Sequence, residues 1–328
     1  MSVVVDTEFP GRFALISPND VLAVERIARG LVTTGHGQID DPNWVDAARE
    51  AWDDLPTEVR RPIRAFRRDA GCAGVLLMRG LPVELDAIPP TPIVDGSVQR
   101  SATVAAAVLV MIASGLGDPA AFRAEKSGAL VQNVVPVPGK EQFQGNAGSV
   151  LLSLHNENAF HDHRPDFVML LCLRADHDRV AGLRTASIRQ ALPLLSETSR
   201  DELFRPAFIT QPPPSFGDAC DGIEQHPVLF GAPDDPNLRV DFAATTTTDR
   251  RSADALDELQ RIFGRIACTH HLLPGDLAVV DNRVAVHGRT AFQPRYDGED
   301  RWLQRTFSLT DLRRSRDLRP DDGYVLVR

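Results

Sequence analysis

With 328 residues, 43% of them apolar and 25% charged, the chain has the make-up of a soluble globular protein able to bury a sizeable core. A net charge of −9 disfavours nucleic acid as a partner, because phosphate binding needs a basic surface, and no apolar run is long enough to span a bilayer. Asp6 and Glu8 stand early and no basic segment leads into an apolar run, so the expectation is a cytoplasmic protein without a leader.

Ser17-Pro18-Asn19-Asp20 can cap a helix carrying Val21, Leu22, Val24, Ile27, Ala28 and Leu31 at roughly helical spacing. Residues 44–52 and 58–66 read as two further helices. Residues 74–80, GVLLMRG, read as a short buried strand, and 82–92 as a proline-rich connector. Residues 102–114 are apolar nearly all round, which predicts a buried helix. Together these give a helical N-terminal elaboration over about 17–115. From residue 148 the texture changes. Residues 149–155, 166–174 and 183–189 are short and apolar or alternating, as strands are. Residues 208–225, rich in Pro and Gly, read as a loop without a regular element, and loops of that length are usually functional or disordered. A helix is predicted over 253–263, two strands around a tight Asp281-Asn282 turn over 275–290, and a last strand over 301–309. The strands outnumber what a βαβ alternation needs. A mainly β protein with flanking helices is therefore expected, with a β-barrel or jelly-roll core in a single domain, 1–328. Cys72, Cys172, Cys220 and Cys268 are scattered, which fits reduced, structural thiols.

The sharpest chemical feature is His155-Asn156-Glu157 at a predicted strand end. Residues i and i+2 point the same way from a strand, so His155 and Glu157 can reach one metal. A distant histidine would complete a two-His, one-carboxylate triad that leaves Fe(II) positions open, and His287, ending the strand 284–286, is the best candidate. With nine histidines, H-x-[DE] arises about once by chance, so a structural role for His155 stays open on spacing alone, with His161 and His163 as rivals. His270 and His271, read as adjacent on a helix or its end, diverge and are poor co-ligands. Arg301 and Arg305 share a strand face and are suited to hold two carboxylates by bidentate hydrogen bonds, unless both are solvated surface residues.

The stretch HNENAFHDHRPDFVMLLCLRADH resembles the metal-binding segment of the clavaminate synthase-like oxygenases, and PGDLAVVDNRVAVHGRTAFQPRYDGEDRWLQR resembles their distal-histidine segment, in the same order and spacing. Within that family the likeness is strongest to the branch acting on free L-asparagine. It runs through nearly the whole chain, including EKSGALVQNVVPVPG, FQGNAGS and TDLRRSRDLRPDDGYVL. The resemblance implies a double-stranded β-helix core and a dioxygenase using Fe(II), 2-oxoglutarate and O2 on a small-molecule substrate. Relatives supply hydroxylated residues for peptide antibiotics. Carried over by position, His155, Glu157 and His287 are the implied iron ligands. Arg301 is implied to hold the distal carboxylate of 2-oxoglutarate, and Arg305 the α-carboxylate of the substrate. Glu125, Asn146 and Asp241 match positions around the substrate amino and amide groups, and 208–225 matches a lid. Two departures stand out. Asn156 replaces a Thr between the ligands, with its side chain expected to face away from the metal, and Leu183 stands where clavaminate synthase has a Thr assisting 2-oxoglutarate, with Thr185 on the same strand face. Alternatives are a hydroxylase of arginine, citrulline or glutamine, a zinc or manganese hydrolase on the same ligands, and an inactive metal-binding module.

Overall fold

The computed structural model describes residues 11–219 and 224–327. The expected N-terminal helices are present. Pro18–Val32 is capped by Ser17, whose side chain accepts from Asp20 N, and Pro42–Asp54 by Asp41, which accepts from Asn43 N. Thr57–Arg68 follows, and Val104–Leu116 starts at Thr103, which accepts from Ala106 N. That last helix is buried on nearly every side, as its composition predicts, packed among the other helices and against the strand Trp302–Leu309. A Cβ on Gly115 would lie 2.4 Å from the Trp52 indole, so glycine there permits the close approach of the Pro42–Asp54 helix.

Two sheets face each other behind this helical layer. The larger runs in the order Arg12–Leu15, Val75–Arg79, Leu277–Asp281, Phe167–Arg174, Trp302–Leu309, Asp118–Phe122, Val325–Leu326, with Gln132–Val134 also paired to Trp302–Leu309. The smaller runs Cys268–His270, Leu183–Ser187, Ala285–Arg289, Leu152–His155. Pairing is antiparallel except at the two ends of the larger sheet. The chain passes repeatedly from one sheet to the other. Leu152–His155 lies in the small sheet, Phe167–Arg174 in the large, Leu183–Ser187 in the small, Leu277–Asp281 in the large and Ala285–Arg289 in the small. That alternation is the jelly-roll expected, and it explains why the Asp281-Asn282 turn joins two strands that belong to different sheets.

Several expectations need correction. The 183–189 segment is a strand only to Ser187, where the serine caps a short helix, Ile188–Ala191. His270 closes the strand Cys268–His270, not a helix. The 208–225 segment is not wholly irregular. Ile209–Thr210 pairs with Thr245–Thr246, and Pro214–Ala219 forms a 3-10 turn whose Phe216 is buried against Phe122 and Phe160. The segment is pinched at its base, where Phe208 and His226 exchange backbone hydrogen bonds of 3.1 and 2.8 Å. Residues 220–223 of the expected lid, including Cys220, lie outside the described residues. Cys72, Cys172 and Cys268 are free thiols.

Candidate functional site

His155 and His287 are direct partners across the Leu152–His155 and Ala285–Arg289 strands, so their rings share one face, with centroids 4.4 Å apart. Glu157 lies just beyond the strand end, and its Oε2 stands 3.5 Å from His287 Nε2. Donor atoms of His155, Glu157 and His287 all fall within 4.8 Å of one another. Two imidazoles and one carboxylate on one side of a point suit a non-haem Fe(II) ion with coordination positions left over. His155 Nδ1 donates to Ser153 O at 2.9 Å, since a carbonyl can only accept, which leaves Nε2 with the free lone pair. Burial, reinforced by the neighbouring His155 ring, holds the His287 pKa below its ordinary value, so it is neutral, as a ligand must be. Burial also resists ionisation of Glu157, but Arg305 and the two imidazoles outweigh it and hold the carboxyl well below the usual range.

The turn carrying these ligands is welded to both sheets. Asn156, only 1% exposed, donates to Asn282 O at 2.8 Å and Ala285 O at 3.0 Å, and accepts from Val240 N at 2.9 Å. Asn282 in turn accepts from Glu157 N at 2.8 Å and donates to Glu157 O at 3.0 Å. An amide at 156 thus makes three bonds that a hydroxyl could not all match.

Arg305 is the second centre. It is 3% exposed, and its Nη1 donates to Glu157 Oε2 at 2.9 Å while Nη2 is paired with Glu125. Gln132 Oε1 accepts from Nε at 3.2 Å. Asn146, oriented with its carbonyl toward the guanidinium, accepts from both Nη atoms at 3.1 Å. Glu125 is aimed inward by a tight turn in which Lys126 and Ser127 are both left-handed, φ 50° and 54°. Lys126 Nζ anchors that turn on Asn133 O at 2.9 Å. Burial raises the Glu125 pKa, Arg305 opposes this, and Glu157 adds to it, so one guanidinium serves two competing carboxylates.

Asp241 joins the site from the far side through an isolated bridge to His155. Its Oδ1 accepts from Ala243 N at 2.8 Å. A chain of hydroxyls backs it: Asp241 N donates to Thr245 Oγ1 at 2.9 Å, Thr245 and Thr210 share a 2.8 Å bond, and Thr210 meets His226 Nε2 at 2.9 Å.

Arg301 is 5% exposed, and among the described residues no carboxylate lies within ion-pair distance of it. The register against Phe167–Arg174 shifts at this end, where Trp302 pairs with Arg174 and Leu303 with Cys172, so the extra residue, Leu173, lies on the partner strand. Burial pulls the Arg301 pKa down, yet a guanidinium stays charged at neutral pH. A buried cation lacking a protein anion is what the distal carboxylate of 2-oxoglutarate would satisfy. Leu183 is buried opposite Arg289, and Thr185 has its hydroxyl 3.0 Å from His270 Nε2.

The other histidine candidates are not brought to this centre. His161 packs edge-on against Phe122 and its Nδ1 accepts from His163 N at 2.9 Å. Sequence reading gives no site role to Gln132, Asn282 or Arg289, nor to Asn158, whose Nδ2 donates to Glu125 Oε2 at 3.4 Å. Gln132 lies inside the quoted EKSGALVQNVVPVPG segment and Arg289 follows His287 by two, but nothing in residue type distinguishes either from core polar groups.

Residues 54–307 match the family described as taurine catabolism dioxygenase TauD, TfdA family. The chain belongs to this family. It is 61% identical over 311 residues to an L-asparagine oxygenase of Streptomyces coelicolor, covering 95% of this chain and 93% of that one. It is 32% identical to clavaminate synthase 2 of Streptomyces clavuligerus, over 84% of each chain. A crystal structure of asparagine oxygenase with Fe(II), 2S,3S-3-hydroxyasparagine and succinate superposes with a TM-score of 0.94 at 60% identity, covering 96% of this chain and 99% of that one. TauD/TfdA membership accounts for the two-sheet core.

Proposed function

We propose that this TauD/TfdA dioxygenase hydroxylates the β-carbon of free L-asparagine, converting asparagine, 2-oxoglutarate and O2 to 3-hydroxyasparagine, succinate and CO2. The observation that carries this reading is the placement of Arg305, buried, with Glu125 and Asn146, half-buried, as one polar cradle directly beside Glu157. The 61% identity to an L-asparagine oxygenase supports the same substrate.

His155, Glu157 and His287 would hold the iron, which together with 2-oxoglutarate and O2 supplies the oxidising power to exchange a C–H hydrogen for hydroxyl. The protein's part is orientation, since so reactive a centre attacks whatever lies nearest. Arg305 would receive the substrate α-carboxylate in exchange for its contacts to Glu157, which would turn to the metal, and to Glu125, which would receive the ammonium group. Asn146 and Asp241 address the side-chain amide: Asp241 accepts from its NH2, and the Asn146 amide donates to its oxygen. Arg301 holds the far carboxylate of 2-oxoglutarate. The described part of the lid segment, 208–219, would cover the substrate and keep bulk water out.

We take 1–328 as one dioxygenase domain, with the N-terminal helices as an elaboration of it, acting in the cytoplasm where free amino acids and 2-oxoglutarate are supplied. Among the described residues no helix is long and apolar enough to cross a membrane. Succinate release measured across a panel of asparagine, aspartate, glutamine, arginine and citrulline tests the substrate. Asparagine is expected to drive the fastest release, and a faster rate with arginine or citrulline would overturn the assignment.

A further inference from the structure

Arg289 lies two residues beyond His287 on the same strand, so both side chains leave the same face of the small sheet, about 7 Å apart along it. It is only 3% exposed. Among the described residues its side chain makes one hydrogen bond, from Nη2 to Val150 O at 3.1 Å, and its buried Nε has no partner. Among the described residues no carboxylate forms an ion pair with it. Arg301 comes to the same place from the facing sheet. The Phe292 ring lies under both guanidiniums, its centroid 5.3 Å from Arg289 Cζ and 5.9 Å from Arg301 Cζ. The neighbouring Asp176 is engaged elsewhere, accepting from Val180 N at 2.9 Å and Ala181 N at 3.0 Å.

Two buried cations side by side on one aromatic ring repel each other, and burying either without an anion is costly. Such a pair persists when a ligand supplies the missing charge. The required ligand is a carboxylate set back from the metal by one strand repeat, which suits a five-carbon 2-oxodiacid whose other end chelates the ion. We propose that Arg289 is a second guanidinium for the distal carboxylate of 2-oxoglutarate, acting with Arg301 as a two-arginine clamp. This rests on the cosubstrate reading above.

The test compares 2-oxoglutarate with 2-oxopentanoate, which has the same chain length but no distal carboxylate. Binding of each is measured by calorimetry to the anaerobic Fe(II)-loaded protein, together with the thermal midpoint of the ligand-free protein. In Arg289→Met the affinity for 2-oxoglutarate should fall about tenfold or more, that for 2-oxopentanoate should hold, and the ligand-free midpoint should stay or rise because an uncompensated charge is gone. Arg289→Lys, which keeps the charge but not the fork, should fall between. An unchanged affinity for 2-oxoglutarate in Arg289→Met would overturn the clamp. So would an equal loss for both acids with a lowered midpoint, which would mark Arg289 as a structural support for Val150. A wild-type protein that binds both acids equally would instead defeat the cosubstrate reading, and the clamp with it.

Discussion

Arg305 Nη1 donates to Glu157 Oε2 at 2.9 Å across 148 residues of chain, so the carboxylate of the proposed metal triad and the cation of the proposed substrate cradle form one buried unit. Each member also has a second partner: the guanidinium is paired with Glu125, and the Glu157 carboxylate would face the metal.

His155→Ala, Glu157→Ala and His287→Ala should each abolish Fe(II) binding and turnover with the fold retained. The three side chains supply the whole donor cluster, and the rival histidines are engaged elsewhere. Metal content and circular dichroism check this. Near-normal activity in His287→Ala would remove it from the triad.

The two arginines should separate. Arg301→Ala should weaken 2-oxoglutarate and leave asparagine affinity largely intact, while Arg305→Ala should do the reverse. Each lost contact is worth about 2–5 kcal/mol, counting the carboxylate left unpaired. Apparent affinities for both ligands in both variants decide it, and equal damage by either variant would contradict the assignment.

Asp241→Asn should admit aspartate. The new side chain keeps an oxygen for the Ala243 N–H and gains donors for a carboxylate, while the like charge that repels aspartate is removed. The ratio of hydroxyaspartate to hydroxyasparagine from an equimolar mixture measures this. An unchanged ratio would leave Asp241 as a turn-capping acid only.

Acid stability should depend on His226. Burial pushes its pKa from the ordinary 6.5 down to about 4, and its Nδ1 donates to Pro227 O at 2.9 Å while Nε2 accepts from Thr210. The unfolded chain binds the proton more readily, so the contribution is fully present above pH 6.5 and is lost as pH falls toward 4. Thermal midpoints across that window should decline in the wild type and less steeply in His226→Gln. Parallel slopes would show that His226 does not set the acid limb.

Much of this architecture is legible in the chain. The capped helices and the apolar helix at Val104–Leu116 declare themselves by spacing and composition. The strand carrying Phe167–Arg174 does so by an unbroken apolar run, as a strand buried on both faces must. Short pairings such as Gln132–Val134 and Ile209–Thr210 do not, because they exist only through partners distant in sequence. The same holds in the site. H-x-E has a local signature, but the role of Gln132 depends on the register of Trp302–Leu309, and that of Arg289 on a facing sheet. The extra residue at Leu173, opposite Trp302 and Leu303, likewise has no local signature.

The most direct test of the central claim is a reaction of the Fe(II)-loaded protein with L-asparagine and 2-oxoglutarate under isotopically labelled O2, with products located by mass spectrometry and NMR. The account predicts one labelled oxygen atom at the β-carbon of asparagine and one in succinate, formed in equal amounts. Product oxygen drawn from water, hydroxylation at another carbon, or turnover that persists without O2 would contradict it.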